Sequence, residues 1–408
     1  MILVRAARRK ASRAITSLVL GMAIAGAARS ARAEEIGTAL PDDPLAGRRV
    51  YLEKGCNACH AIWGQGGSLG PDLGTATAWH SVTQLAGILW NHSPEMIEKM
   101  RERRMARPMV ATGEMADLAA FLYFLNYFDP PGNPEAGEEV FEHKGCVRCH
   151  AVGGHGGSVG PALDSYKAFA SPLFLVRSMW SHGPAMLRKM EESHIPRPKF
   201  AGRDLSDIFA YLQKTSQGKS AEKIYMAVGS PARGEKVFAD KGCVRCHAVW
   251  GKGGQVGPDL GEKEVHTSVS EIAGSMWNHG PTMWTKMAEL KIPLSRFSDT
   301  ELSDLIAYVF FLQYFDPRGD TIKGQAVFVD KGCILCHYAP HGAEKLLAPN
   351  LTQSSALSSP LALASAMWNH APAMEEQFRE RGLPWPRFQG DEVRDLVSYL
   401  RSRKAAQP

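Results

Sequence analysis

The sequence predicts an all-α protein built from four tandem repeats in two pairs, and three observations predict it. A Cys-x-x-Cys-His motif recurs with its first cysteine at 56, 146, 243 and 333, so the intervals are 90, 97 and 90 residues. Apolar residues around each copy fall at helical spacing, and the two-residue alternation of strands is scarce. Repeats 1 and 3 superimpose at a constant offset of 187 residues, from Cys56 on Cys243 to Pro130 on Pro317, while the longer middle interval holds extra linker from Gln217 to Pro231. The boundaries read from this pattern are 44–131, 134–218, 231–318 and 321–405.

Within a repeat the elements follow a fixed order. A short amphipathic helix carrying Gly-x-x-Val-aromatic comes first, at Gly47–Tyr51, Gly137–Phe141, Gly234–Phe238 and Gly324–Phe328, and leads into the cysteine motif. A loop ending in GPDL, GPAL, GPDL or APNL follows, and then Trp-x-His-x-Pro-x-Met, written WNHSPEM, WSHGPAM, WNHGPTM and WNHAPAM. The residue before a proline avoids the α region and proline suits a first helical position, so one helix is expected to end near the histidine and another to begin at the proline. An apolar helix closes each repeat, marked by Asp117/Leu118/Phe121, Asp207/Ile208/Tyr211, Asp304/Leu305/Tyr308 and Asp395/Leu396/Tyr399. In repeats 1 and 3 it runs on into FLYFLNYFDP or YVFFLQYFDP, aromatics expected to pack against the following domain.

A chain of 408 residues exceeds one ordinary core and suits three or four small domains. With 44% hydrophobic and 22% charged residues it reads as folded and soluble. Residues 1–33 have the layout of an export signal: a basic stretch from Arg5 to Arg13, an apolar run from Ala14 to Ala27, and Ala31-Arg32-Ala33 as a cleavage site. The expectation is a periplasmic protein cleaved after Ala33. The leader holds seven basic residues and no acid, so the net charge of +5 becomes −2 without it, 40 basic residues against 42 acidic. A balance this close to neutral gives no support to nucleic-acid or membrane-surface binding.

Every cysteine belongs to a motif. The four sets are Cys56, Cys59 and His60; Cys146, Cys149 and His150; Cys243, Cys246 and His247; and Cys333, Cys336 and His337. This spacing is the attachment signature of c-type haem, in which two thiols form thioethers to the porphyrin and the adjacent histidine binds iron. Disulfides and zinc are the competing uses of such residues in an exported chain. Zinc fails because each motif offers three ligands and no regular fourth.

In these motifs the chain resembles class I cytochrome c, four times over. The resemblance implies four tandem class I cytochrome c-like domains arranged as two di-haem units, with four covalently bound haem c groups. It further implies that the first and last helices cross, and that Pro71, Pro161, Pro258 and Pro349 support the proximal histidines. The fourth copy lacks the glycine before its proline, and its loop YAPHGAEKLL differs from the others. The family's usual sixth ligand is a methionine before the last helix, where this chain has Met105, Ile195, Ile292 and Leu383. That assignment does not carry over to three repeats. The shared Trp-x-His-x-Pro-x-Met offers instead Met96, Met186, Met283 and Met374, favoured by the scaffold's habit of thioether ligation, or else His92, His182, His279 and His370. Met100, Met190 and Met287, with Phe378 in repeat 4, read as haem-packing core, and Trp90, Trp180, Trp277 and Trp368 as walls of the haem crevice.

The reading is an electron carrier rather than an enzyme, exchanging electrons with a redox protein donor and acceptor and with no nucleic acid. Methionine ligation implies a higher potential, and paired histidines a low-potential chain. A haem peroxidase or reductase would need one open iron position, and a fixed subunit of a membrane-bound oxidoreductase complex would use the same chemistry.

Overall fold

The computed structural model describes residues 40–75, 81–165, 172–216, 228–262, 268–337 and 348–405. The expected leader, most of the Gln217–Pro231 linker and the repeat 4 loop at 338–347 lie outside the described residues.

In each repeat the first helix crosses the last. The first helices are Ala46–Glu53, Pro134–His143, Pro231–Asp240 and Thr321–Asp330, and the last are Thr112–Leu125, Asp204–Thr215, Asp299–Phe311 and Glu392–Ala405. Asn133, Ser230 and Asp320 cap three of the first helices by accepting backbone N–H bonds in the opening turn. The crossing depends on glycine: a Cβ on Gly47, Gly137, Gly234 or Gly324 would lie 1.9–2.0 Å from the carbonyl oxygen of Asp117, Asp207, Asp304 or Asp395. One turn on, Tyr51 meets Phe121, Phe141 meets Tyr211, Phe238 meets Tyr308 and Phe328 meets Tyr399, with ring centroids 5.5–6.2 Å apart. The two markers read separately in the sequence are therefore the two sides of one contact. Small hairpins at Ala61–Gly66, Ala151–Gly156 and Ala248–Gly253 follow three cysteine motifs, and the fold is otherwise all-α.

A long helical segment lies between: Val82–Asn91 followed by Ser93–Glu102 in repeat 1, then Pro172–Glu192, Val269–Glu289 and Pro360–Glu380. The expected break at the proline occurs in repeat 1 alone, and Pro184, Pro281 and Pro372 sit inside continuous helices. A proline inside a helix strips the carbonyl four residues back of its donor. In two repeats another part of the chain replaces it: Trp385 Nε1 donates to Trp90 O at 3.1 Å, and the Arg197 guanidinium donates to Trp277 O. The cost of the proline is thereby reduced.

These bonds cross from one repeat to another, and the indoles of the same segments add more of them. Trp90 Nε1 donates to Pro386 O at 2.7 Å and Trp368 Nε1 to Pro108 O at 2.9 Å, which joins repeats 1 and 4. Trp180 Nε1 donates to Ser295 O at 3.0 Å and Trp277 Nε1 to Pro198 O at 2.9 Å, which joins repeats 2 and 3.

Repeats 1 and 3 meet through their aromatic segments. Tyr123 stacks obliquely on Phe310 at 4.7 Å and donates its hydroxyl to Phe310 O at 3.1 Å, and Phe124, Tyr127 and Phe311 are almost wholly buried beside it. Asp129 accepts from Ser270, and Asp316 accepts from Thr83. Tyr123 and Phe310, Thr83 and Ser270, and Asp129 and Asp316 are each 187 residues apart, so the contacts are reciprocal, as about a local two-fold axis. The aromatics expected on the following domain lie against each other instead. The halves 1–2 and 3–4 are the units this symmetry relates, while the order of contact in space is 2–3–1–4.

Candidate haem site

The cysteine motif is pinned to the last helix by a residue that sequence reading missed. Lys54, Lys144, Lys241 and Lys331 precede the motif, and their ammonium groups lie 2.8–2.9 Å from Glu114, Asp204, Glu301 and Glu392. Each of those acids also accepts, at 2.8–2.9 Å, the backbone N–H three residues earlier, which in repeats 1 and 3 is the N–H of the residue that caps the last helix. Lys-Gly-Cys in all four repeats was the available signal.

The eight cysteines do not form the disulfides that an exported chain could make of them. Cys56, Cys59, Cys146, Cys149, Cys243, Cys246, Cys333 and Cys336 are all unpaired and half-buried. The second cysteine of each motif ties it to the loop that follows. The carbonyl oxygens of Cys59, Cys149 and Cys246 accept the N–H of Gly70, Gly160 and Gly257 at 2.8–2.9 Å, and that of Cys336 accepts the N–H of Ala348 at 3.2 Å.

The histidines of the motifs are oriented through Nδ1. His60, His150, His247 and His337 place it 2.8–3.0 Å from the carbonyl oxygens of Pro71, Pro161, Pro258 and Pro349. With Nδ1–H donated, Nε2 is the nitrogen available to a metal, the arrangement common to metal-binding histidines. Glycine makes room for the ring: a Cβ on Gly70, Gly160 or Gly257 would lie 2.3–2.4 Å from the histidine Cε1. Repeat 4 has Ala348 at that place, spends one more residue between histidine and proline, and folds its motif as a short α-helix, Ile334–His337. The departure noted in its sequence is thus a departure in backbone.

Cys243, Cys246 and His247 line a cavity of about 690 Å³, together with Met276, His279, Met283 and Met287 from the long helix. Its size and largely apolar walls suit an enclosed cofactor. Both sixth-ligand candidates of repeat 3 reach this cavity, and so does Ile292 at the family's usual methionine position. His92, His182 and His279 each hold Nδ1 2.9 Å from the carbonyl oxygen four residues back, at Ile88, Ser178 and Ser275. Met96 and Met374 pack against the core that repeats 1 and 4 share. The tryptophans depart from expectation: Trp180 of repeat 2 lines the repeat 3 cavity, and each indole N–H goes to another repeat.

Two further observations bear on what the site can hold. Nε and Nη1 of Arg107 are buried without a hydrogen-bond partner among the described residues, and burial lowers that guanidinium to about 10. A carboxylate-bearing group such as a haem would satisfy them. Burial also pushes the thiols of Cys146, Cys243 and Cys333 up to about 11. Among the described residues no three His, Cys, Asp or Glu side chains converge as a metal cluster. Nor, among them, is any helix long and apolar enough to cross a membrane.

No curated protein and no solved structure matches the chain. The Cytochrome c family model matches it three times, at residues 45–125, 231–312 and 322–404. These matches span more than half of the chain and fall on the crossed helices and cysteine motifs of repeats 1, 3 and 4. The chain belongs to the cytochrome c family and is a c-type cytochrome, a protein of haem-based electron transfer.

Proposed function

We propose that the chain carries four covalent haem c groups, one in each of the segments 44–131, 134–218, 231–318 and 321–405, and transfers electrons between a donor and an acceptor protein outside the cytoplasm. The observation that carries this reading is the recurrence of the histidine-to-proline carbonyl bond in all four repeats, including repeat 2, which the family model does not match. When bound, a haem supplies a reversible one-electron iron couple. The pairs Cys56 and Cys59, Cys146 and Cys149, Cys243 and Cys246, and Cys333 and Cys336 hold it covalently, and His60, His150, His247 and His337 present Nε2. The crossed helices and apolar walls exclude water, and so set how strongly charge on the iron is stabilised. Intact mass after removal of the leader tests the count and the cleavage point together. Four added haems on a chain starting at Glu34 support the proposal, and three or fewer refute it.

The long helix offers two sixth ligands. Thioether ligation by Met96, Met186, Met283 and Met374 follows the family habit. A specific observation favours His92, His182, His279 and His370: in three of them Nδ1 is already engaged by a carbonyl, which directs Nε2 outward as in the proximal set. The methionines then serve as apolar cover, and the chain is a low-potential carrier. Near-infrared absorption of the oxidised protein separates the two. A methionine-to-iron band scaled to four haems supports thioether ligation, and its absence supports the histidines. Stoichiometric cyanide or carbon monoxide binding to one haem would instead favour a peroxidase or reductase.

A further inference from the structure

Repeat 3 does not build its cavity alone. Trp180, Phe200, Ala201, Gly202 and Leu205 of repeat 2 line the same space as Cys243, Cys246 and His247. Trp180 is held by its bond to Ser295 O, and its ring centroid lies 6.2 Å from Phe297 and 6.0 Å from Trp284. Phe200 is tied to Asn278 of repeat 3 on both sides of its backbone, at 2.9 Å from N and 2.7 Å from O. Gly274 faces it, where a Cβ would meet the Phe200 Cβ at an ordinary contact distance of 3.5 Å.

The same parts recur between repeats 1 and 4. Asn91 bonds Phe388 N and O at 2.8 and 2.7 Å, a Cβ on Gly87 would stand 3.6 Å from the Phe388 Cβ, and Trp368 reaches Pro108 O. Repeat 4 grips repeat 1 in return with Ser365 at the glycine place, Asn369 bonding Val110 N and O at 3.0 and 2.9 Å and Ser365 Oγ donating to Val110 O at 2.7 Å, while repeat 2 has Arg177 and Ser181 where repeat 3 has Gly274 and Asn278.

We infer that the haem sites of repeats 3 and 1 are completed by repeats 2 and 4, with Trp180 and Phe200 as positioning residues for the haem on Cys243 and Cys246, and Trp368 and Phe388 for the haem on Cys56 and Cys59. The four sites then form two coupled pairs, 2 with 3 and 1 with 4. This rests on the reading of one haem per repeat.

The test uses the full-length holoprotein with Trp180→Phe, Phe200→Leu and Trp368→Phe made singly. Haem-methyl proton resonances and the midpoint potential are followed for each haem, with signals assigned from variants of each proximal histidine. Trp180→Phe and Phe200→Leu are expected to shift the resonances and potential of the haem on Cys243 and Cys246, and Trp368→Phe those of the haem on Cys56 and Cys59. Either repeat 2 variant leaves the haem on Cys333 and Cys336 unmoved. A Trp180→Phe protein that changes only the haem on Cys146 and Cys149, or all four equally, overturns the inference. Intact mass is measured on the same samples: fewer than four haems in wild type defeats the underlying reading, whereas four haems with an unmoved repeat 3 site defeats this inference alone.

Discussion

Gly257 and Ala348 occupy the same place in two repeats, and the difference shows how little space lies behind the proximal histidine. A Cβ at Gly257 would press on the His247 ring at 2.4 Å, whereas Ala348 is accommodated by one extra residue before Pro349. Gly257→Ala is therefore expected to tilt His247, altering the electron paramagnetic resonance of one haem and lowering stability by about 1–3 kcal/mol, the usual cost of overpacking. An unchanged spectrum would mean that the loop yields freely. The Cys-x-x-Cys-His motifs were legible in the sequence because two thiols and an imidazole within five residues recur four times and use every cysteine of the chain. The sixth ligand was not, because histidine and methionine four residues apart share one helical face, and in repeat 3 both reach the cavity. The Nδ1 bonds that favour the histidines belong to three dimensions, as do the carbonyl bonds by which Cys59, Cys149 and Cys336 fasten the motif to its loop.

At the scale of elements, the clamp between the Lys-Gly-Cys turn and the last helix sets a pH dependence. Glu114 and Glu301 are held below their ordinary value of 4.5, first by the hydrogen bonds from Lys54 and Lys241 and then by the N–H groups of Ala111 and Ser298. A carboxylate whose folded-state value is depressed adds stability above its unfolded value and loses it as pH falls through the folded one. Between about pH 5 and about pH 3, Glu301→Gln should therefore lose less thermal stability than wild type. Both acids are half-exposed, so the difference is small and shrinks with added salt. Equal slopes for variant and wild type would show that the ion pair adds nothing. The crossing helices were readable as two markers, Gly-x-x-Val-aromatic and Asp-aliphatic-x-x-aromatic, because each repeats at fixed spacing. The continuous helix through Pro184, Pro281 and Pro372 was not, since local preference argues for a break, and in repeat 3 the donor that answers the proline-freed carbonyl is Arg197, from repeat 2.

For the whole molecule, periodicity identifies four equivalent repeats but carries no information on which repeats touch. The pairing is set by side chains that look alike in every copy: a tryptophan indole and the carbonyl it finds before another repeat's last helix. Joined as 2–3–1–4, the two halves of the chain exchange contacts at three seams, 2 with 3, 3 with 1, and 1 with 4. The central seam buries Phe124, Tyr127, Phe311 and Tyr314 to 2% exposure or less, and burial of aromatics on this scale contributes roughly 1.5–3 kcal/mol for each side chain. A protease site placed between Gln217 and Met226, cut in the folded holoprotein, is thus expected to leave both halves together through size-exclusion chromatography, parting only in denaturant. Tyr123→Ala should weaken that association, because it removes the ring contacts to Phe310, Phe311 and Tyr314 along with the bond to Phe310 O. Halves that separate on cleavage without denaturant would place the cohesion of the molecule in the linker, and would remove the structural basis for pairing repeat 1 with repeat 4.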